Sequence, residues 1–447
     1  MDKKLYEIIR DCGIVGAGGA GFPTHIKVNT KADTVIVNCA ECEPLLRVDQ
    51  QLMDIYANKI IKALDIVVSD VGADNGVIGL KYKYKKAINS ISNIISNYPN
   101  ISIHKLENFY PAGDEQVLVY EVVNKVIPEG SIPISVGCIV LNVETLLNIY
   151  SAYFENSSVV EKYITITGEV KNIMTVKVPI GISIQEVLDL AGGTRIDDFV
   201  VINGGPMMGK LIDLGDRVTK TTKGLIVLPK NHSLINSLNK DMNQMIKEAK
   251  TSCMHCSLCT EVCPRNLIGH NIHPNKMIRI ASYQSVCEND LSLTSAYLCC
   301  ECRLCEYACI MDLQPWRINS SIKKSLSKNK IKNDNNKKTQ PHPYREYKKY
   351  PVNKLITKLG IKKYDIDAPL VETSKEFTTV CIKLSQHIGA PSKPIVNIGD
   401  SVAKGDLIGV IRENSLGANI HASISGNITE ITDEYIKIQK QFRRNSI

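Results

Sequence analysis

Two cysteine runs in the second half of the chain constrain its fold more than any other feature. Their members are Cys253, Cys256, Cys259 and Cys263, and then Cys299, Cys302, Cys305 and Cys309. Both runs have the spacing Cys-x2-Cys-x2-Cys-x3-Cys. A short loop with three such cysteines can wrap three corners of an iron–sulfur cubane, so these eight thiolates predict two [4Fe–4S] clusters. The sequence therefore predicts a chain that transfers electrons.

The fourth cysteine of each run is expected to bind the cluster of the other run, because it stands about one helical turn further along the chain. The expected ligand sets are Cys253, Cys256, Cys259 and Cys309 for one cluster, and Cys263, Cys299, Cys302 and Cys305 for the other. Cys300 could replace Cys299, but only Cys299 repeats the spacing of the first run. Structural zinc is the alternative, and it favours paired Cys-x2-4-Cys knuckles over three-cysteine runs.

Length and composition are those of a globular protein with several domains. The chain has 447 residues, of which 44% are hydrophobic and 22% charged, and this length suggests about three domains. No signal-peptide pattern stands at the N-terminus, and the most apolar stretch is too short and too polar to span a bilayer. Seven of the fifteen cysteines, Cys287 among them, have no cluster spacing. We therefore expect a protein of the reducing cytoplasm without a membrane span.

The positive charge is concentrated in one segment. Eleven Lys and Arg but only two acidic residues lie between Arg317 and Lys349, a surplus of nine against a net charge of +8 for the whole chain. The segment is rich in Lys, Asn and Ser and lacks apolar periodicity, which predicts a solvated basic linker over residues 321–350. Docking of an acidic partner is the alternative. No nucleic-acid partner is expected, because aromatic residues are not interleaved in the manner of such a site.

The remaining patterns divide the chain into further domains. Strand patterns alternate with helical spacing in the first third, which predicts an α/β domain. Half-buried strands with one short helix then predict a β-grasp-sized module, and the C-terminal part has the strands and turn glycines of a small barrel or sandwich. The predicted domains are 1–155 (α/β), 160–228 (β-grasp), 240–320 (clusters) and 351–447 (barrel or sandwich).

The glycine run Gly16–Gly21 is the second chemical feature. It contains G-x-G-x-x-G, but the preceding residues 5–10 look helical, whereas a Rossmann site requires a strand before the glycines. The run alone is therefore weak support for a Rossmann site, and a flexible turn is the alternative. Such a loop still allows a phosphate or a flat ring to approach the backbone.

Four motifs, taken together, resemble a known family. These are Gly16–Lys27 (GAGGAGFPTHIK), Asn38–Pro44 (NCAECEP), Tyr110–Glu115 (YPAGDE) and Leu141–Leu146 (LNVETL). They occur in the order seen in the FMN- and NADH-binding flavin subunit of respiratory complex I and in the related RnfC component of the Rnf electron-transport complex. Because four separate motifs agree over about 130 residues, the resemblance is specific.

The resemblance implies a set of FMN- and NADH-binding residues. The glycine loop and a lysine would hold the FMN phosphate, namely Gly16, Gly18, Gly19, Gly21 and Lys27. Near the isoalloxazine and the nicotinamide would lie Asn38, Glu41 and Glu43. NADH would be met by Gly113, Asp114 and Glu115, and the flavin by Asn142 and Thr145. No side chain is expected to act as a general acid or base.

The order of the domains narrows the resemblance. The implied fold is multidomain α/β with α+β modules: a complex-I-type FMN-binding α/β domain, a soluble-ligand-binding β-grasp (SLBB) module, a ferredoxin-like domain with two [4Fe–4S] clusters and a C-terminal barrel-sandwich hybrid. In RnfC the barrel lies at the N-terminus, whereas here it follows the clusters. This order is similar to that of the flavin and iron–sulfur cobalamin reductases of propanediol-utilisation microcompartments.

That resemblance implies a two-electron to one-electron converter. NADH would reduce FMN, and the two clusters would pass single electrons to cob(II)alamin, giving cob(I)alamin for a corrinoid adenosyltransferase. The implied partners are cobalamin, that adenosyltransferase and the shell or lumen proteins of a bacterial microcompartment in the cytoplasm. One alternative is a soluble RnfC-like component of a membrane-bound ferredoxin:NAD oxidoreductase. The other is a non-catalytic electron-transfer protein, since Ala17, Ala40 and Leu141 depart from the complex I motifs.

Overall fold

A parallel sheet with helices on both faces forms the first part of the protein. The structure, a computed structural model, describes residues 3–283, 291–333 and 337–440, so Cys287 lies outside the described residues. The elements are α1 Leu5–Asp11, α2 Thr24–Val28, β1 Thr34–Cys39, α3 Val48–Ile55, α4 Ala57–Asp70, β2 Asn75–Lys81, α5 Lys85–Ile95, β3 Ile101–Leu106, β4 Phe109–Tyr110, α6 Glu115–Val123, a 3-10 turn Pro133–Val136, β5 Cys138–Asn142 and α7 Val143–Glu155. The sheet order is β3-β2-β1-β5, with all three pairs parallel.

The sheet of β1, β2, β3 and β5 is apolar on both faces, as expected for a parallel sheet covered by helices. Val35 and Val37 of β1 pack into the core that contains Leu52 of α3, while Ile36 faces the second core, with Leu118 of α6. The strands run in one direction, so their carboxyl ends meet at a single edge of the sheet. Ligands of open α/β sheets bind outside this edge.

A mixed six-stranded sheet follows. Its own elements are β6 Glu161–Gly168, β7 Met174–Pro179, α8 Ile184–Leu190, β8 Phe199–Asn203, β9 Lys210–Ile212 and β10 Gly224–Pro229. Ser183 caps α8 in a capping box with Glu186, which explains why the helix begins there. The sheet order is β12-β7-β6-β10-β8-β9, where β12 (Leu370–Val371) comes from much later in the chain and pairs with β7.

Short helices surround the two cysteine runs. They are α9 Ser233–Asn239, α10 Met242–Ser252, α11 Leu258–Glu261, α12 Pro264–Leu267, α13 Pro274–Tyr283, a 3-10 segment Leu291–Leu298, α14 Leu304–Ala308 and α15 Pro315–Lys328. Apolar side chains such as Met245, Leu293 and Ile318 form a separate small core here. The second run also packs against the six-stranded sheet, because Leu304 shares a buried cluster with Ile202 of β8 and Ile226 of β10.

The C-terminal part contains two small antiparallel sheets. The chain first forms α16 Arg345–Lys348, β11 Tyr350–Pro351, α17 Val352–Lys358, a 3-10 turn Lys362–Tyr364 and β12. It then forms β13 Thr379–Lys383, β14 Lys393–Pro394, β15 Ser401–Val402, β16 Leu407–Val410, β17 Ile420–His421, β18 Gly426–Ile431 and β19 Tyr435–Gln439. The sheet orders are β13-β19-β18-β15 and β14-β16-β17.

The prediction of a solvated linker over residues 321–350 is wrong for the parts of that segment that pack. Helix α15 continues to Lys328, and Ile322 and Leu326 on it are buried. The Arg345 side chain is buried and forms an ion pair with Glu121. The apolar residues of α15 are few and the buried arginine is polar, so composition gave no sign of this packing.

Candidate flavin and cluster site

The glycine loop lies against the turn between β5 and α7, at the carboxyl edge of the parallel sheet. The Ala17 amide donates to Thr145 Oγ1 at 3.0 Å. A Cβ on Gly18 would lie 3.5 Å from the Asn142 side chain, while one on Gly19 would meet no atom within 4 Å. Gly19 has a φ of +116°, which side-chain-bearing residues rarely adopt. The loop thus has open space on one side and backbone amides close by, which fits a phosphate group.

A buried network joins the glycine loop to the end of β1. Asn142 caps α7 by accepting from the Glu144 amide at 3.0 Å, and its Nδ2 donates to Asp49 Oδ2 at 3.0 Å. The Asp49 amide in turn donates to Glu41 Oε1 at 2.8 Å. Lys223, which precedes β10, forms a buried ion pair with Asp49. Asp49 therefore holds two predicted flavin-site residues, Asn142 and Glu41, in a fixed relation.

A second buried ion pair supports the loop itself. Lys162 of β6 pairs with Glu144 of α7, and both side chains are almost completely buried. The Lys162 ammonium also donates to the Ala17 carbonyl at 3.1 Å. The residues that we missed in the sequence are Asp49, Glu144, Lys162 and Lys223. The available signal for Lys162 was its position directly before the alternating strand pattern that begins at Tyr163.

The N-terminus of α6 carries a second group of predicted residues. Asn38 Nδ2 donates to the Gly113 carbonyl at 2.9 Å, so the end of β1 contacts this turn directly. Lys27 forms an ion pair with Glu115 at 2.7 Å and donates to the Val140 carbonyl at 3.1 Å. The structure thus brings Lys27, Asn38, Gly113 and Glu115 together at the same edge of the sheet.

Glu43 points toward the β-grasp module. Its carboxylate oxygens accept from the Met207 amide at 2.9 Å and from the Met208 amide at 3.0 Å. A Cβ on Gly205 would overlap this carboxylate, so the close approach requires glycine. Burial raises the pKa of Glu43 to about 7, although both amides and Arg303 oppose the rise. The carboxyl of Glu43 is therefore held by protein amides rather than turned toward the glycine loop.

We expect the Glu43→Gln variant to lose less stability than the natural chain when the pH rises from about 5 to about 8. The folded pKa of about 7 lies above the ordinary glutamate value of 4.5, so the folded state binds this proton more tightly than the unfolded state. The resulting stabilisation is complete below the unfolded pKa and is lost as the pH rises through about 7. Thermal unfolding of both proteins at both pH values measures the difference. An equal loss of stability in the two proteins would contradict the raised pKa of Glu43.

The cysteines form two spatial sets. Burial raises the pKa of Cys259 to about 12, and the nearby thiols of Cys309, Cys256 and Cys253 add to the rise. In the second set, burial raises the pKa of Cys305, and the thiols of Cys299, of Cys263 and of Cys259 from the first set add to the rise. A cavity is lined by Cys263, Cys299, Cys300, Cys302 and Cys305. The crossed ligand sets stay a prediction, and the thiols that line this cavity have the chemistry that a cubane requires of its ligands.

Within residues 3–283, 291–333 and 337–440, no three His, Cys, Asp or Glu side chains converge on one ion position. A cubane places a different demand on its ligands, because each thiolate binds a different iron atom.

Two bridges connect the carboxyl edge of the sheet with the second cysteine set. Tyr110 donates to the Cys302 carbonyl at 3.0 Å, and its hydroxyl lies 3.5 Å from Glu43 Oε1. Asp114, which caps α6, forms an ion pair with Arg265 at 2.8 Å, and Arg265 lies next to Cys300. The second set is therefore adjacent to the flavin-site residues, whereas Cys256 of the first set is exposed.

Family comparisons identify four domains in the chain. Residues 9–151 match the Nuo51 FMN-binding domain, residues 163–211 the SLBB domain, residues 252–314 the 4Fe-4S dicluster domain and residues 358–447 the RnfC barrel sandwich hybrid domain. These matches confirm the predicted fold class and the prediction of FMN and two [4Fe–4S] clusters. None of the described helices is long and apolar enough to cross a membrane.

Comparison with curated proteins gives similarity over nearly the full length. The chain is 43% identical to "Cobalamin reductase PduS" of Citrobacter freundii, over 98% of this chain and 96% of the relative. It is 41% identical to the protein of that name from Salmonella typhimurium strain LT2, over 97% and 96%. A component of the Na(+)-translocating ferredoxin:NAD(+) oxidoreductase complex of Acetobacterium woodii is 34% identical over 60% of this chain and 59% of that protein. The chain is thus an NADH-linked flavin and iron–sulfur oxidoreductase, and it belongs to the PduS family of cobalamin reductases, within the superfamily of RnfC and the complex I flavin subunit.

Proposed function

We propose that this chain transfers electrons from NADH to cob(II)alamin and so supplies cob(I)alamin to a corrinoid adenosyltransferase. The observation that carries the proposal is the direct connection between the flavin edge of the sheet and the second cysteine set, through Tyr110 and through the Asp114–Arg265 pair. The full-length similarity to proteins named cobalamin reductase supports the choice of acceptor. The proposed site of action is a bacterial microcompartment in the cytoplasm, with its shell or lumen proteins as neighbours.

The proposed flavin site is built from the residues at the carboxyl edge. The backbone of Gly16, Gly18, Gly19 and Gly21, together with Lys27, would hold the phosphate of FMN. Asn142 and Thr145 would position the flavin from the β5–α7 turn, and Asn38, Glu41 and Glu43 would lie near the isoalloxazine and the nicotinamide. Gly113, Asp114 and Glu115 would receive NADH. Bound FMN supplies the exchange between two-electron and one-electron chemistry, and the protein binds and orients it.

The proposed cluster ligands are the two cysteine sets. Cys263, Cys299, Cys302 and Cys305 would bind the cluster next to the flavin site, and Cys253, Cys256, Cys259 and Cys309 the other cluster. Cys302 and Cys305 are buried, whereas Cys256 is exposed. An external acceptor can therefore approach the first set more closely than the second.

An anaerobic assay with the reconstituted holoprotein tests the proposal. NADH, cob(II)alamin and the adenosyltransferase are added, and the loss of the cob(II)alamin EPR signal is followed with and without this protein. We expect the loss to depend on both the protein and NADH. If the flavin bleaches while the corrinoid signal persists, the acceptor is wrong, and a ferredoxin or a membrane partner takes its place. If FMN is bound but NADH does not bleach it, the chain is an electron-transfer protein without NADH oxidation.

A further inference from the structure

Lys81 is a buried lysine at the carboxyl edge of the parallel sheet, and the flavin-site motifs do not include it. It is the last residue of β2, and only 1% of its surface is exposed. Side chains alternate along a strand, so Lys81 lies on the same face as Gly79. A Cβ on Gly79 would lie 3.0 Å from Leu118 of α6. Lys81 therefore stands two residues further toward the edge, on the face that α6 covers.

The Lys81 ammonium has no hydrogen-bond acceptor among the described residues. Its surroundings include Cys42, whose thiol is close to the Gly113 backbone, as well as the carboxylate of Glu41. Burial lowers the pKa of Lys81 to about 8, and Lys83 and Arg47 contribute to the decrease. A buried cation without a partner is costly, and such groups in native proteins are normally satisfied by a partner. Some ligand oxygen is therefore expected at this position.

The position of Lys81 in the sheet determines which part of a bound flavin the Lys81 side chain can contact. The glycine loop contacts the β5–α7 turn, whereas Lys81 ends β2, and these two strands flank β1 on opposite sides. Neighbouring strands are roughly 4.8 Å apart, so β2 and β5 are separated by about 10 Å. A flavin with its phosphate at the glycine loop can then extend its ring across the end of β1 toward Lys81.

We propose that the Lys81 ammonium is a ligand of bound FMN and donates to a carbonyl oxygen of the pyrimidine part of its ring. The inference rests on the flavin site proposed above and adds a residue to it. Reduction places negative charge on this part of the ring, and an adjacent ammonium stabilises that charge. Lys81 thus affects both the affinity for the flavin and its reduction potential.

Flavin binding to flavin-free protein distinguishes the ring from the phosphate. The Kd values of FMN and of riboflavin, which lacks the phosphate, are measured by fluorescence quenching for the natural chain and for Lys81→Met, Lys83→Met and Lys27→Met. We expect Lys81→Met to raise the Kd values of FMN and of riboflavin at least tenfold and by the same factor. Lys83→Met is the matched control, because Lys83 is two residues away and exposed. It should leave both Kd values unchanged, while Lys27→Met should weaken FMN more than riboflavin.

The thermal midpoint and the reduction potential separate a ligand from a structural lysine. Flavin-free Lys81→Met should melt no lower than the natural chain, because it loses a buried charge that forms no hydrogen bond with the described residues. Its bound FMN should have a more negative midpoint potential in a reductive titration. Lys81→Arg, which keeps the charge, should restore part of the affinity and serves as the test variant if Lys81→Met does not fold.

Three results would overturn the inference: unchanged Kd values in Lys81→Met, a loss for FMN alone, or a lower thermal midpoint without flavin. Neither NADH nor a corrinoid takes part in these measurements. Their outcome therefore does not depend on whether cob(II)alamin is the electron acceptor. The ratio of the riboflavin Kd to the FMN Kd tests the phosphate site separately. If this ratio is the same in the natural chain and in Lys27→Met, Lys27 does not bind the phosphate, whatever the result for Lys81.

Discussion

The Cys305→Ala variant is expected to lose one [4Fe–4S] cluster and, with it, the reduction of cob(II)alamin. Cys305 is buried and lies among the thiols of the second set, which faces the flavin site. A [4Fe–4S] cluster takes four cysteine ligands, so the iron content should fall from about eight to about four atoms per chain. Bleaching of the flavin by NADH should persist, because the residues of the flavin edge are unchanged. Iron analysis and the EPR assay measure the two effects.

Cys300→Ala is the matched control for this experiment. Cys300 lines the same cavity, but only Cys299 continues the spacing of the run. The control should keep about eight iron atoms and its activity. A loss of iron in Cys300→Ala together with full iron in Cys299→Ala would show that Cys300, and not Cys299, is the cluster ligand. Full iron in Cys305→Ala would contradict the second ligand set altogether.

The Asp49→Asn variant is expected to be about 3–5 kcal/mol less stable than the natural chain. The substitution removes the counter-charge of Lys223, whose side chain is buried and forms no ion pair with another described residue. It also disturbs the hydrogen bond from Asn142 Nδ2 to the Asp49 carboxylate. FMN affinity should therefore fall together with stability. Denaturant unfolding of the flavin-free protein and FMN titration measure the two changes.

Glu155→Gln provides the comparison for this second experiment. The Lys59–Glu155 pair has a similar N–O separation, 2.6 Å, but both side chains are about 40% exposed. Exposed pairs contribute about 0–1 kcal/mol, so the control should remain close to the natural chain. Replacing both partners, as Asp49→Leu with Lys223→Met, should recover part of the lost stability because neither charge is then left alone. Equal losses of stability in Asp49→Asn and Glu155→Gln would show that the Lys223 ammonium is not buried as the structure describes.

Local patterns predicted the parts of the site that depend on local geometry. The cysteine spacing is a property of one loop, and the glycine run and the strand Thr34–Asn38 are equally short, so each was visible in the sequence. Asp49 and Lys223 meet across 174 residues, and no local pattern indicates which buried lysine meets which carboxylate. The same reason applies to β12, which adds to the sheet of β7 from nearly two hundred residues away.

Lys81 shows a second limit of sequence reading. Its strand, NGVIGLK, is apolar from Gly76 to Leu80, and a lysine at a strand end usually indicates solvent. Helix α6 packs on the face of β2 that carries Gly79 and Lys81, and this packing exists only once the chain has folded. The prediction of a solvated linker over residues 321–350 was wrong for the same reason, since Arg345 is charged and nevertheless buried.

The ion pairs at the flavin edge have a consequence for how this protein can be divided. Both lysines, Lys162 and Lys223, belong to the β-grasp part of the chain, whereas Glu144 and Asp49 belong to the parallel-sheet part. A fragment cut after α7 would keep the glycine loop and every residue proposed to hold FMN, yet the buried carboxylates of Glu144 and Asp49 would lose the lysines that pair with them. The two parts are separate folds with a shared charge balance, so an exchange of one part between relatives preserves the flavin site only when these two lysines are transferred with it.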